Sequence, residues 1–93
     1  MVRVIWDVED DPQGNVQHIL AHDVTQEEVE EVMDAYYDTT TVSRTSGNPI
    51  TFGWTATGKY LAIVWEAVDE DVPSVYPLTA YPVPERDSKR GPQ

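Results

Sequence analysis

The chain of 93 residues contains no cysteine, so disulfide bridges and thiolate metal sites are excluded and nothing points to an oxidising compartment. Basic side chains are scarce: six Lys and Arg stand against 17 Asp and Glu, a formal net charge of −11. Three of the six, Arg86, Lys89 and Arg90, fall in the closing RDSKRGPQ, which leaves Arg3, Arg44 and Lys59 for everything before it. A body of this charge repels phosphate backbones and attracts basic partners, unless the carboxylates serve solubility alone. No apolar run approaches the ~20 residues of a membrane span. The opening MVRVIWDVEDD is too short in its apolar part, and too acidic after it, for a signal peptide. A cytoplasmic protein without a membrane association is the expectation. Sequence motifs of known chemistry are missing as well: there is no G-x-x-x-x-G-K-[ST] loop, no G-x-S-x-G serine and no H-E-x-x-H pair.

What is present centres on ITFGWTATGKYLAIVW, Ile50 to Trp65. Ile50, Phe52 and Trp54 alternate with Thr51, Gly53 and Thr55, the two-residue period of a strand. Thr57-Gly58 supplies a turn, since glycine accepts positive φ. Tyr60 to Trp65 is apolar on both faces, with Leu61, Ile63 and Trp65 on one and Tyr60, Ala62 and Val64 on the other, the pattern of a central strand. All of these residues read first as core.

Val2 to Trp6 alternates and reads as an opening strand. Asp7 to Asn15, punctuated by Pro12 and Gly14, is a loop. Asn15 is expected to cap a short helix carrying Val16, Ile19 and Leu20 and ending near His22. A second helix starts at Thr25: Thr25 and Glu28 form a T-x-x-E capping box, Val24 and Val29 occupy the staple positions, and Glu27 and Glu28 suit the positive end of the helix dipole. Its buried stripe is Val29, Val32, Met33 and Tyr36, and Glu27, Glu30, Glu31 and Asp34 cover the exposed face. DTTTVSR, Asp38 to Arg44, is β-rich and reads as a strand near an edge. Val75 to Val83 is a last strand, expected to set Tyr76, Leu78 and Ala80 on one face, with Pro77 and Pro82 marking an edge or an irregular end.

The predicted fold is therefore α+β: a strand, two helices, then a four-strand antiparallel meander, with both helices on one face of the sheet. Ninety-three residues make a single domain, read as 1–84, followed by a polar tail, 85–93.

Candidate chemistry is thin. His18 and His22 are an i, i+4 pair and share a helix face. Two ligands do not complete a zinc site, and Asp23 or Glu28 is the nearest oxygen in sequence, so neither a metal nor a cofactor is expected. RNA cleavage needs cations against phosphate and a proton carrier near the 2′-hydroxyl. His18, His22, Arg44 and Lys59 are the candidates inside the fold.

Several short segments, in order, resemble the BrnT family of type II toxin–antitoxin systems within the RelE/ParE-like superfamily. They are Ile5-Trp6-Asp7, His22-Asp23-Val24-Thr25 with Glu27 and Glu28, Gly53, Thr57-Gly58-Lys59-Tyr60-Leu61 and Thr79-Ala80. They are similar to the family's W-D opening, K-H-G-V-S-F-E-E-A segment, D-G-R-x-L turn and S-A-R strand, across residues 4 to 86. The resemblance implies a RelE-like fold, a small cytoplasmic toxin that cleaves RNA, and a cognate antitoxin as partner. It implies site roles for His22 and Lys59. The family's arginine in the last strand is Tyr81 here, the arginine before the third strand falls near Asn48 with Arg44 a few residues away, and His18 replaces an Asn. These departures remove phosphate contacts that cleavage requires. An alternative is a non-catalytic acidic interaction module on the same scaffold, binding a basic protein or mimicking nucleic acid.

Overall fold

A computed structural model describes residues 2–43, 46–69 and 71–83. The chain runs β1 (Arg3–Val4), α1 (Asn15–Leu20), α2 (Gln26–Tyr36), a 3-10 turn (Tyr37–Thr39), β2 (Thr41–Val42), β3 (Pro49–Trp54), β4 (Tyr60–Asp69) and β5 (Ser74–Pro82). The strands form one five-stranded mixed sheet in the order β1-β5-β4-β3-β2. An α+β fold is thus observed, with β4 at the centre as its two-sided apolar pattern requires. β1, whose pairing the sequence leaves unassigned, makes the sheet mixed: it lies parallel to β5, with Arg3 opposite Ser74 and Val4 opposite Val75. The pairs β2–β3, β3–β4 and β4–β5 are antiparallel.

The turn between β3 and β4 forms where glycine predicts it, with Gly58 at φ 95°. Thr55 amide donates to Lys59 carbonyl at 2.8 Å and closes the hairpin. Register then follows: Gly53 faces Leu61 and Thr51 faces Ile63 on one side, while Phe52 faces Ala62 and Trp54 faces Tyr60 on the other.

α2 starts as its sequence dictates. Thr25 accepts from Glu28 amide, and Glu28 carboxylate accepts from Thr25 amide, so both halves of the capping box are made. Val24 and Val29 are fully buried beside it. α1 begins differently from expectation. Gly14 is the N-cap, and Asn15 is buried with its side chain turned inward. Its carboxamide accepts from Asp7 amide at 3.0 Å and donates to Ile5 and Pro77 carbonyls at 3.1 and 3.2 Å. Asp7 carboxylate in turn accepts from Asn15 amide and from Tyr76 hydroxyl. This lock ties the first loop, α1 and β5 together.

Both helices lie on one face of the sheet. Ile19, Val24, Val29, Val32 and Met33 pack with Leu61, Ile63, Trp65, Val75 and Ala80 in one core cluster. Gly53 is required there: a Cβ at this position would run into the Tyr36 ring. Trp65 indole donates to Thr51 hydroxyl at 2.9 Å, so the one polar atom of this large buried ring is satisfied.

Two strands are shorter or less regular than their sequence suggests. The Thr-rich segment yields only Thr41–Val42 as strand, because Tyr37–Thr39 winds a 3-10 turn and Thr39 and Thr40 hydroxyls bond back to Tyr36 and Tyr37 carbonyls. In β5 a register shift between Val64 and Trp65 places Thr79 opposite Val64 but Pro77 opposite Trp65. Leu78 is the extra residue and is exposed, and the expected common face of Tyr76, Leu78 and Ala80 is not made: Ala80 pairs with Ile63 on the covered side and Tyr76 with Glu66 on the other. Pro77, with no amide to offer the ladder, sits at that irregularity. The polar segment 85–93 lies outside the described residues.

Candidate functional site

Two surfaces combine exposed functional groups, and they meet at the end of the sheet where the β3–β4 hairpin turns.

The first is a corner built by α1 and the ends of β4 and β5. β1 pairs only with the start of β5, which leaves the later part of that strand without a strand neighbour, and α1 covers it. Val83 amide donates to Tyr60 carbonyl, which fixes the phase of β5 and turns Ala80 carbonyl outward. His22, just past the helix, meets that carbonyl through Nδ1 at 3.1 Å. A carbonyl only accepts, so Nδ1 carries the proton in this contact. The His18 ring stands edge-on to His22 at 5.2 Å, as i, i+4 spacing dictates. Tyr81 packs against His22 from the sheet side, with ring centroids 6.4 Å apart.

Lys59 completes the corner from the hairpin. Its Nζ donates to Asp23 carbonyl at 2.5 Å and to Glu28 Oε1 at 3.1 Å, with Asp23 carboxylate at 3.9 Å. Asp23 adopts φ 65°, a left-handed conformation that Asp tolerates better than most side chains, and so presents its carbonyl to the ammonium. Burial pushes the Glu28 carboxyl up, but Thr25 amide and Lys59 outweigh it and hold the group below its ordinary value. The ammonium is thereby committed to the α2 capping box.

The structure therefore brings His18, His22 and Lys59 to one corner. Arg44 lies outside the described residues. Tyr81, the fourth member, was visible in the sequence only as the residue standing where the resembled family has arginine. Among the described residues no group of three or more His, Cys, Asp or Glu side chains is arranged to hold a metal ion.

The second surface is the sheet face away from the helices. Phe52, Trp54, Tyr60 and Tyr81 all project there, because each is paired with or adjacent to Ala62 or Tyr60 in the register. Trp54 and Tyr60 centroids are 4.8 Å apart and Phe52 and Tyr60 stack at 6.1 Å. Trp54 is 43% exposed and Tyr81 38%. A cleft of about 230 Å³ at the hairpin end is lined by Trp54, Lys59, Tyr60 and Pro82. At the hairpin end this face carries rings, and farther along β4 Glu66 brings a carboxylate to it.

Carboxylates occupy the opposite, helical side. Glu27, Glu30 and Asp34 border an open groove of about 510 Å³ between α2 and β1, with Val2 and Val4 in its floor and Arg3 at its rim. Trp6 indole donates to Glu30 at 2.7 Å, and Ala56 amide to Glu31 at 2.6 Å. Among the described residues no helix is long and apolar enough to cross a membrane. No protein-family model, no curated protein and no solved structure matches this chain.

Proposed function

We propose that this protein is a non-catalytic interaction module, on a BrnT-like and RelE-like scaffold, whose acidic body holds a basic segment of another protein. In the toxin–antitoxin setting that the sequence resemblance implies, that segment belongs to the cognate antitoxin. One observation carries the reading: Lys59, the cation of the only corner where histidines gather among the described residues, is engaged by Glu28 and Asp23. A phosphate arriving there meets carboxylates and a neutralised ammonium, whereas a guanidinium or ammonium meets a favourable field. The formal net charge of −11 supports the same polarity of partner.

A second reading, RNA cleavage by a BrnT-like toxin, is favoured by a different observation. His22 is held through Nδ1 on the Ala80 carbonyl, with His18 and Tyr81 flanking it, which fixes the ring as a proton carrier requires.

One titration separates the two. The protein is mixed with an arginine-rich peptide, a glutamate-rich peptide of equal length and a single-stranded RNA oligonucleotide, and followed by tryptophan fluorescence at low and moderate salt. The interaction reading predicts that only the basic peptide binds, that its affinity falls as salt rises, and that the RNA stays intact. Cleavage of the RNA that disappears in His22→Gln establishes the second reading instead.

A further inference from the structure

Among the described residues, β3 is paired along one edge and has a strand partner along only part of the other. Toward β4 it is paired throughout, but β2 reaches only Pro49 and Ile50. The Thr55–Lys59 bond sets the alternation: Thr51 and Gly53 turn their main-chain groups to β4, so Phe52 and Trp54 turn theirs outward. β2 does not extend to meet them: the register would set Thr39 opposite Phe52, and Thr39 is wound into the 3-10 turn. Among the described residues, no main-chain bond meets these two amides and two carbonyls on that side. Such an edge is a template for another strand.

The surroundings of this edge specify what it accepts. On the sheet face, the rings of Phe52, Trp54 and Tyr60 lie directly beside it. At one end Glu31 carboxylate is fixed on Ala56 amide, two residues past Trp54. Near the other end, Asp38 is exposed on the 3-10 turn that packs against β3. The described cation closest in sequence, Lys59, is paired with Glu28. Main-chain donors and acceptors, an aromatic floor and carboxylates on the flank fit an extended, basic peptide.

We propose that a basic extended segment of a partner protein adds to the sheet outside β3, pairing with the main chain of Phe52 and Trp54. Alternate side chains of the added strand fall on opposite sides. One set lies over the Phe52–Trp54–Tyr60 rings, where apolar groups or a stacked guanidinium are favoured. The other set faces Glu31 and Asp38, where arginine or lysine is favoured. This docking mode rests on the interaction-module reading and assigns it a place on the molecule.

The test uses the full chain and a short synthetic peptide alternating arginine and valine, with two controls: a glutamate–valine peptide, and the arginine–valine peptide N-methylated at alternate amides. Binding is followed by Trp fluorescence and by amide hydrogen exchange. The arginine peptide is expected to bind, to protect Phe52 and Trp54 amides, and to weaken about tenfold or more on N-methylation, the effect of losing two main-chain bonds. Trp54→Ala, at an exposed position, is expected to weaken binding while its circular dichroism stays that of the parent. Binding that spares Phe52 and Trp54 amides and ignores N-methylation overturns the docking mode but leaves the interaction module standing. Failure of the arginine peptide to bind at all overturns both. If deleting residues 84–93, which carry Arg86, Lys89 and Arg90, raises peptide affinity more than about tenfold, the occupant is this chain's own segment and the partner proposal falls.

Discussion

The two faces of the sheet are written by the same strands and have opposite fates. On the helix-covered face Leu61, Ile63, Trp65, Val75 and Ala80 are buried to within a few per cent, sealed by Ile19, Val29, Val32 and Met33. On the other, Phe52, Tyr60 and Val64 are half-buried, and Trp54 and Tyr81 are exposed. Ala62 is fully buried on that open side without any helix above it. Its small side chain lies beneath the larger rings that its register partners and neighbours bring. One face is apolar because it is packed; the other is apolar and still reaches water. Stability belongs to the first, and the docking mode proposed above draws on the second.

Substitutions on adjacent residues of β4 break this contrast most sharply. Ile63→Ala opens a hole beneath both helices and is expected to cost about 2–5 kcal/mol, read from the urea midpoint. Val64→Thr, one residue along and on the open side, is expected to change stability by roughly 0.5 kcal/mol or less. Equal losses at the two positions would erase the distinction between the faces.

Gly53→Ala probes the covered face from the sheet side. The added methyl meets the Tyr36 ring, and a loss of about 1–3 kcal/mol is expected. Combined with Tyr36→Ala the penalty should shrink, leaving a coupling of about 1 kcal/mol or more in a double-mutant cycle. Thr25→Ala removes one half of the capping box and frays the start of α2, with an expected cost of about 1 kcal/mol.

The smallest effect concerns the lock that seats α1. Tyr76 hydroxyl, then Asn15 amide, hold the Asp7 carboxyl below its ordinary value. A carboxyl depressed in the folded state contributes stability above its unfolded value, ~3.9, and that contribution is lost as pH falls below it. Asp7→Asn should therefore flatten the loss of stability between about pH 5 and 2. Tyr76 behaves in the opposite sense: its bond to Asp7 pushes its hydroxyl up to about 12. That contribution is present below the unfolded value, ~10, and is lost as pH rises from there toward 12, so Tyr76→Phe should flatten the alkaline limb. Asp7 is solvent-accessible, and both changes are expected to be modest.

Local signals in the sequence mapped onto local structure. Thr25 and Glu28 are three residues apart and cap each other, Gly58 makes its turn, and the two-sided apolar run of Tyr60–Trp65 lies in the central strand. The departures come from contacts that no window of neighbours contains. Asn15 has the side chain of a cap, yet it is drawn inward by partners as far away as Pro77, and Gly14 takes the capping position. The parallel placement of β1 is fixed by two residues opposite Ser74 and Val75, too few to leave a pattern. Leu78 looked inward by alternation and was displaced by a register shift. At the corner, His18 and His22 were legible from helical spacing, but Tyr81 reaches His22 across nearly 60 residues of chain, and nothing in the sequence indicated that Glu28 and Asp23 would engage Lys59.

Amide hydrogen exchange along β3 in the free protein tests the central claim most directly. Gly53 and Leu61, which bond across the β3–β4 ladder, should exchange slowly, and Phe52 and Trp54, which face outward, should exchange about a hundredfold faster or more. Equal protection at all four amides would contradict the account, because it would mean that the outer edge of β3 is already covered and has no place for another strand.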